Sequence, residues 1–111
     1  MGAEIEFWDH SKRRDWFMMR AVTRKALARP EILAEIRECV ERVWVNDPFN
    51  LRSLRLWRKV LVLTPEEFAR AVLADTSEAL DLRESYPPYF MLTQPERLQY
   101  IAAARKELAI P

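Results

Sequence analysis

The chain has 111 residues, 50% of them hydrophobic and 32% charged, with a net charge of +1; this describes one folded domain with a real core, and leaves no room for a second. Its only glycine is Gly2 and its only histidine and cysteine are His10 and Cys39. Phosphate-cradling glycine loops, an intrachain disulfide, structural zinc, a multi-histidine metal site and a histidine-based triad are thereby excluded. No cofactor and no metal are expected.

The first residues carry acidic Glu4 and Glu6 without the apolar core of a signal peptide, and the lone cysteine suits a reducing compartment, so a cytoplasmic location is expected. Apolar runs are too short to span a bilayer, and no membrane partner is expected. Cys39 reads as a small buried apolar side chain.

Residues 1–11 can form a flexible N-terminal segment. A first helix is predicted from Asp9 to Ser11 through Ala28, ended by Pro30, which then enters the first turn of the next helix. Within it Trp16-Phe17-Met18-Met19 spans nearly every direction around a helix, whereas a surface helix buries only one stripe. If Trp16 and Met19 face the core with Val22 and Ala26, then Phe17 and Met18 are covered by another element, most simply Phe7-Trp8, or belong to an interface.

A second helix is predicted over about Glu31 to Val45, with Ile32, Leu33, Ile36, Val40 and Val43 at helical spacing. Asp47 and Pro48 then cap a third helix, whose apolar face is Leu51, Leu54, Trp57, Val60 and Leu61. Thr64-Pro65-Glu66-Glu67 has the form of a capping box opening a fourth helix that ends near Ala74. Asp75 to Glu78 can cap a short fifth helix carrying Leu80 and Leu82. Thr93-Gln94-Pro95-Glu96 repeats the capping-box logic for a last helix, expected to bury Leu98, Ile101 and Leu108. No strand-type alternation occurs. The fold class expected is all-α, a compact single-domain bundle of five or six short helices.

Charge is segregated along the chain. Residues 1–29 hold seven Lys/Arg against four Asp/Glu, and residues 48–63 hold four against none, while the rest is acidic. Arg13, Phe17, Arg20 and Arg24 fall on one stripe of the first helix, and Arg52, Arg55 and Lys59 on one stripe of the third. Such stripes can follow a phosphate backbone, or they can be ordinary solvated faces paired with acidic helices. Carboxylate pairs such as Glu66 with Glu67 and Asp75 with Glu78 read as caps rather than as acid–base machinery, and no catalytic constellation is visible.

The segment Leu82-Arg83-Glu84-Ser85-Tyr86-Pro87-Pro88-Tyr89-Phe90 stands between two helical signals. Its paired prolines fix two backbone φ angles, so its three rings lose little entropy on ordering. Tyr86, Tyr89 and Phe90 can plug the end of the bundle, or they can supply rigid interface area with Arg83 and Arg97 as flanking polar anchors.

From Arg20 onward the chain resembles small helical antitoxin-like proteins encoded beside toxin genes in bacterial toxin–antitoxin operons. The resemblance runs through Ala28-Arg29-Pro30-Glu31-Ile32-Leu33, Trp57 with Val60-Leu61, Pro65-Glu66-Glu67-Phe68, Leu73 and Asp75-Thr76-Ser77-Glu78. It continues through Leu82-Arg83-Glu84-Ser85, the proline-aromatic segment, Leu92-Thr93 and Glu96-Arg97. Here Pro87-Pro88-Tyr89-Phe90 stands where such relatives have a single proline directly followed by phenylalanine.

The resemblance implies a non-catalytic protein that binds and inhibits a cognate toxin from the same operon. The expected contact residues are Trp16, Phe17, Met18, Arg83, Tyr86, Tyr89, Phe90 and Arg97. An antitoxin can also bind operator DNA, and the alternative reading is a small nucleic-acid-binding regulator using helices 12–28 or 48–62, through Arg13, Arg20, Arg24, Arg52, Arg55 and Lys59. A self-associating homo-oligomer is a third reading.

Overall fold

The computed structural model describes residues 10–85 and 87–105. Its elements in chain order are α1 (His10–Ala28), α2 (Ile32–Trp44), a 3-10 turn (Pro48–Asn50), α3 (Leu51–Val60), α4 (Pro65–Leu73), α5 (Ser77–Glu84), a second 3-10 turn (Pro87–Met91) and α6 (Gln94–Arg105). No strand occurs among the described residues, and the fold is an all-α bundle. His10 and Ser11 already belong to α1, so the helix takes in the last residues of the segment expected to be flexible.

Four starts follow the sequence signals, while α2 departs from them: it begins at Ile32, with Pro30 and Glu31 in a turn before the helix and no side-chain cap from Glu31. Asp47 accepts from the Phe49 amide at 3.0 Å with Pro48 at the first position, although one 3-10 turn precedes α3. Thr64 accepts from the Glu67 amide at 3.2 Å while Glu67 accepts from the Thr64 amide at 3.1 Å, completing the capping box of α4. Thr76 accepts from the Ala79 amide at 3.1 Å, and Thr93 and Glu96 exchange bonds of 2.8 and 3.3 Å at the start of α6. Each such cap contributes about 1 kcal/mol by satisfying an N–H that the helix leaves unpaired.

Helix ends are built differently, because no glycine is available to adopt the left-handed cap conformation. The residues closing α2, α3, α4 and α5 are all in right-handed or extended geometry. Carbonyls at the ends of α3, α4 and α5 instead meet donors brought from elsewhere in the chain. Arg37 Nη2 donates to Leu61 O at 3.1 Å after α3. At the end of α4, Trp16 Nε1 donates to Leu73 O at 3.2 Å, and Arg83 Nη1 donates to Val72 O and Ala74 O at 3.1 and 2.8 Å. The Tyr89 hydroxyl lies against Arg83 O in the last turn of α5 and against Asp15 O at 3.1 Å. Arg97 Nη2 donates to Tyr89 O at 3.0 Å, and Arg13 Nη1 to Ala104 O at 3.0 Å.

Helix α1 runs through the middle, packed by α2, α4, α5, the second 3-10 turn and α6. Met18, Met19, Val22 and Ala26 enter the main core with Ile36, Val40, Trp57, Phe68 and Val72. Phe17 is buried against Ala103 of α6, with Trp16 and Tyr100 beside it. Among the described residues α6 covers Phe17; Phe7-Trp8 lie outside them.

Three burial expectations are corrected. Val43 is 50% exposed, and Trp44 takes the core position at the end of α2. Leu51, at the start of α3, is 40% exposed. Leu98 is 55% exposed, because α6 meets α1 through Tyr100, Ala103 and Ala104. Leu108 lies outside the described residues. Cys39 is buried as expected.

Removing the Tyr89 hydroxyl in Tyr89→Phe takes away the one proton shared by Arg83 O and Asp15 O, and is expected to cost about 1–3 kcal/mol in urea unfolding, with helical content unchanged. Wild-type stability in this variant would mean that the hydroxyl contributes nothing net to closing the bundle.

Candidate functional site: a cleft beside the proline-aromatic turn

The second 3-10 turn separates its aromatic rings. Tyr89 points inward and is 6% exposed, while Phe90 is 46% exposed. Pro88 is fully buried behind them. Tyr86 lies outside the described residues. Beside the turn opens a cleft of about 460 Å³, within the size range of ligand and side-chain pockets. Helix α1 supplies Arg14, Asp15 and Met18, and α2 supplies Cys39, Val43 and Trp44. The end of α5 adds Glu84, the turn Tyr89 and Phe90, and α6 Arg97 and Ile101.

The walls are mostly apolar and the polar groups are few. Asp15 accepts from Arg14 Nε at 3.1 Å, with Arg14 Nη2 also at 3.1 Å. Burial pushes the Asp15 carboxyl above its ordinary value of 3.8, against the pull of Arg14, and Glu84 adds to the upward push. Burial also raises the Tyr89 phenol well above its ordinary value, so the hydroxyl keeps its proton and remains a donor at neutral pH. Beneath it Arg83 is 3% exposed. Burial lowers its pKa, opposed by Tyr89, Asp75, Asp15 and Glu84, and an arginine so placed stays charged.

Of the contact residues nominated from sequence, Met18, Tyr89, Phe90 and Arg97 gather around this cleft. Arg83 sits underneath as the cap of α4. Trp16 and Phe17 lie on another side of α1, where the Arg20 guanidinium rests 5.2 and 5.1 Å from their ring centroids. Burial lowers the pKa of Arg20, and Arg24 adds to the lowering.

The two basic stripes are drawn into intramolecular contacts. On α1, Arg13 reaches the end of α6 and Arg20 is stacked on aromatic rings, while Arg24 is exposed. On α3, Arg52 meets Asp81 at 2.5 Å and Lys59 meets Glu78 at 3.4 Å, both on α5. Arg55 is exposed on the same face. Neighbouring Arg58 holds Glu41 of α2 through two bonds of 2.5 and 2.6 Å, and the hydrogen bond to Arg58 holds the Glu41 carboxyl below its ordinary value.

Sequence reasoning passed over Arg14, Asp15, Trp44 and Glu84 as parts of this site. The available signal was Asp15 itself, which stands one turn before Met18 and Met19 on the core face of α1, where an acid is out of place.

Comparison with family models, with curated proteins and with solved structures found no match to this chain. The resemblance to antitoxin-like proteins therefore rests on its quoted motifs alone. Among the described residues no helix is long and apolar enough to cross a membrane.

The pH dependence of Asp15 has a definite sign. A carboxyl whose folded pKa lies above its unfolded value costs nothing differential below that unfolded value, near 3.8. Its ionisation then costs stability as pH rises through the folded value. Relative to wild type, Asp15→Asn should therefore gain unfolding free energy between pH about 3 and about 7, measured by urea titration at both ends. A difference that stays flat, or reverses, would show that Arg14 outweighs the burial.

Proposed function

We propose that this protein is a non-catalytic antitoxin-like protein that binds a partner toxin encoded in the same operon and inhibits it by occlusion. The observation that carries the reading is the division of labour in the proline-aromatic turn: Tyr89 is locked inside by hydrogen bonds, which fixes Phe90 outward at the lip of the cleft. An aromatic ring presented by a stiff segment loses little freedom on binding, which is what an interface anchor needs. Half-exposed Val43 faces it as a second apolar group on the rim. The resemblance quoted from Pro65 to Arg97 supports the same assignment.

The alternative, a nucleic-acid-binding regulator, has less support, because Arg13, Arg20, Arg52 and Lys59 are already engaged by carbonyls, rings or carboxylates. Surface pairs can reopen, since exposed ion pairs contribute only about 0–1 kcal/mol. That alternative demands DNA binding that falls steeply with added salt.

Co-expression with the neighbouring gene product is expected to yield a complex that survives high salt, together with restored growth. Phe90→Ala should weaken that complex by about tenfold or more without lowering the unfolding temperature. Absence of both complex and rescue would remove the antitoxin reading.

A further inference from the structure

The cleft contains two guanidinium groups in different situations. Arg14 is neutralised at the floor by Asp15, with both contacts at 3.1 Å. Arg97 is half-buried on the α6 side, and among the described residues its guanidinium donates to a neutral acceptor, Tyr89 O at 3.0 Å. Its Nε is buried and has no acceptor among the described residues. No carboxylate of the described residues pairs with it, in contrast to Arg29, Arg52 and Arg58, which all have one. A cation held in an apolar cleft and answered only by a carbonyl favours an incoming anion more than a solvated surface cation does.

Beside that charge the walls offer Met18, Trp44, Phe90 and Ile101, enough apolar surface for one large side chain. Glu84 sits at the α5 side of the cleft and is solvent-exposed, so an incoming carboxylate is favoured at the Arg97 side and disfavoured at the Glu84 side. This orients the occupant.

We propose that the cleft receives one large apolar side chain of the partner protein, with an adjacent Asp or Glu whose carboxylate pairs with Arg97. The proposal deepens the partner-binding reading of the same cleft and rests on it. Recognition is then two-part: burial of the apolar anchor supplies affinity, and the charge-assisted bond to Arg97 fixes its direction.

Cys39 makes the cleft directly testable. It is the only cysteine in the chain, lines the cleft and is 7% exposed, so its alkylation is slow in the free protein and is slowed further by an occupant. The probes are two short peptides, acetyl-Trp-Asp-amide and acetyl-Trp-Asn-amide, which differ by the charge alone. Iodoacetamide labelling of Cys39 in the full chain should be slowed by the Asp peptide at concentrations about tenfold lower than by the Asn peptide. In Arg97→Gln the two peptides should become equivalent, and in Glu84→Gln the Asp peptide should bind as well or better. A matched unfolding temperature checks that Arg97→Gln remains folded. Should it unfold, the Glu84→Gln arm and the comparison of peptides on the wild type decide alone.

Equal protection by both peptides, or protection by neither, overturns the proposal. The co-expressed complex separates the two levels. A complex that forms and tolerates Arg97→Gln overturns the carboxylate pairing while leaving the antitoxin reading intact. Peptide discrimination without any complex leaves the cleft's chemistry standing and removes the toxin as its occupant.

Discussion

A chain with no glycine beyond its second residue must end its helices without the usual left-handed turn, and the architecture follows from how it does so. The unpaired carbonyls at the ends of α3, α4, α5 and α6 are met by Arg37, by Trp16 and Arg83, by Tyr89 and by Arg13. Each donor comes from an element other than the helix it caps. Capping and tertiary packing are therefore the same set of contacts, and a helix end is complete only when its neighbour has docked. Cations also suit these positions because the carboxyl end of a helix carries partial negative charge.

That constraint gives basic residues of α1 a use inside the fold. Arginines at helical spacing on α1 resemble a track for phosphates, yet Arg13 is a cap and Arg20 lies on Trp16 and Phe17. The arginine fork donates several N–H groups at the end of a long stem, which lets it reach a distant carbonyl. Arg83 is the extreme case: it is almost wholly buried, it has no carboxylate in hydrogen-bond contact among the described residues, and its Nη1 is held by two carbonyl oxygens while its Nε has no acceptor among them. It ties α5 to the end of α4 beside the proline-aromatic turn.

Local chemistry was legible in the sequence, and long-range pairing was not. Thr64, Thr76 and Thr93 announce their helices because a cap bonds within three residues of itself. The core of α2 was readable from spacing up to its last turn, where Trp44 and not Val43 takes the inward position, and that of α3 from Leu54 onward, its first residue Leu51 being exposed. The face of α6 was misjudged as well. Leucine is the stronger apolar signal in isolation, but α6 meets α1 through Ala103 and Ala104 and leaves Leu98 outside. Met18, Phe90 and Arg97, nominated from the sequence as contact residues, line the cleft, whereas Asp15 and Glu84 join them there only once α1 and α5 are brought together.

The hydrogen bond between Tyr89 and Asp15 joins residues 74 apart, and that between Arg13 and Ala104 joins residues 91 apart. During synthesis the chain therefore presents Phe17 and Met18 long before the ribosome has released the elements that cover them. At ordinary elongation rates of about 5–20 residues per second, this interval lasts several seconds. For that time α1 is an amphipathic segment with too many apolar sides, open to chaperones and proteases. Among the described helices, the central one is thus made first, and its Phe17 side is covered only when the last of them, α6, has been made.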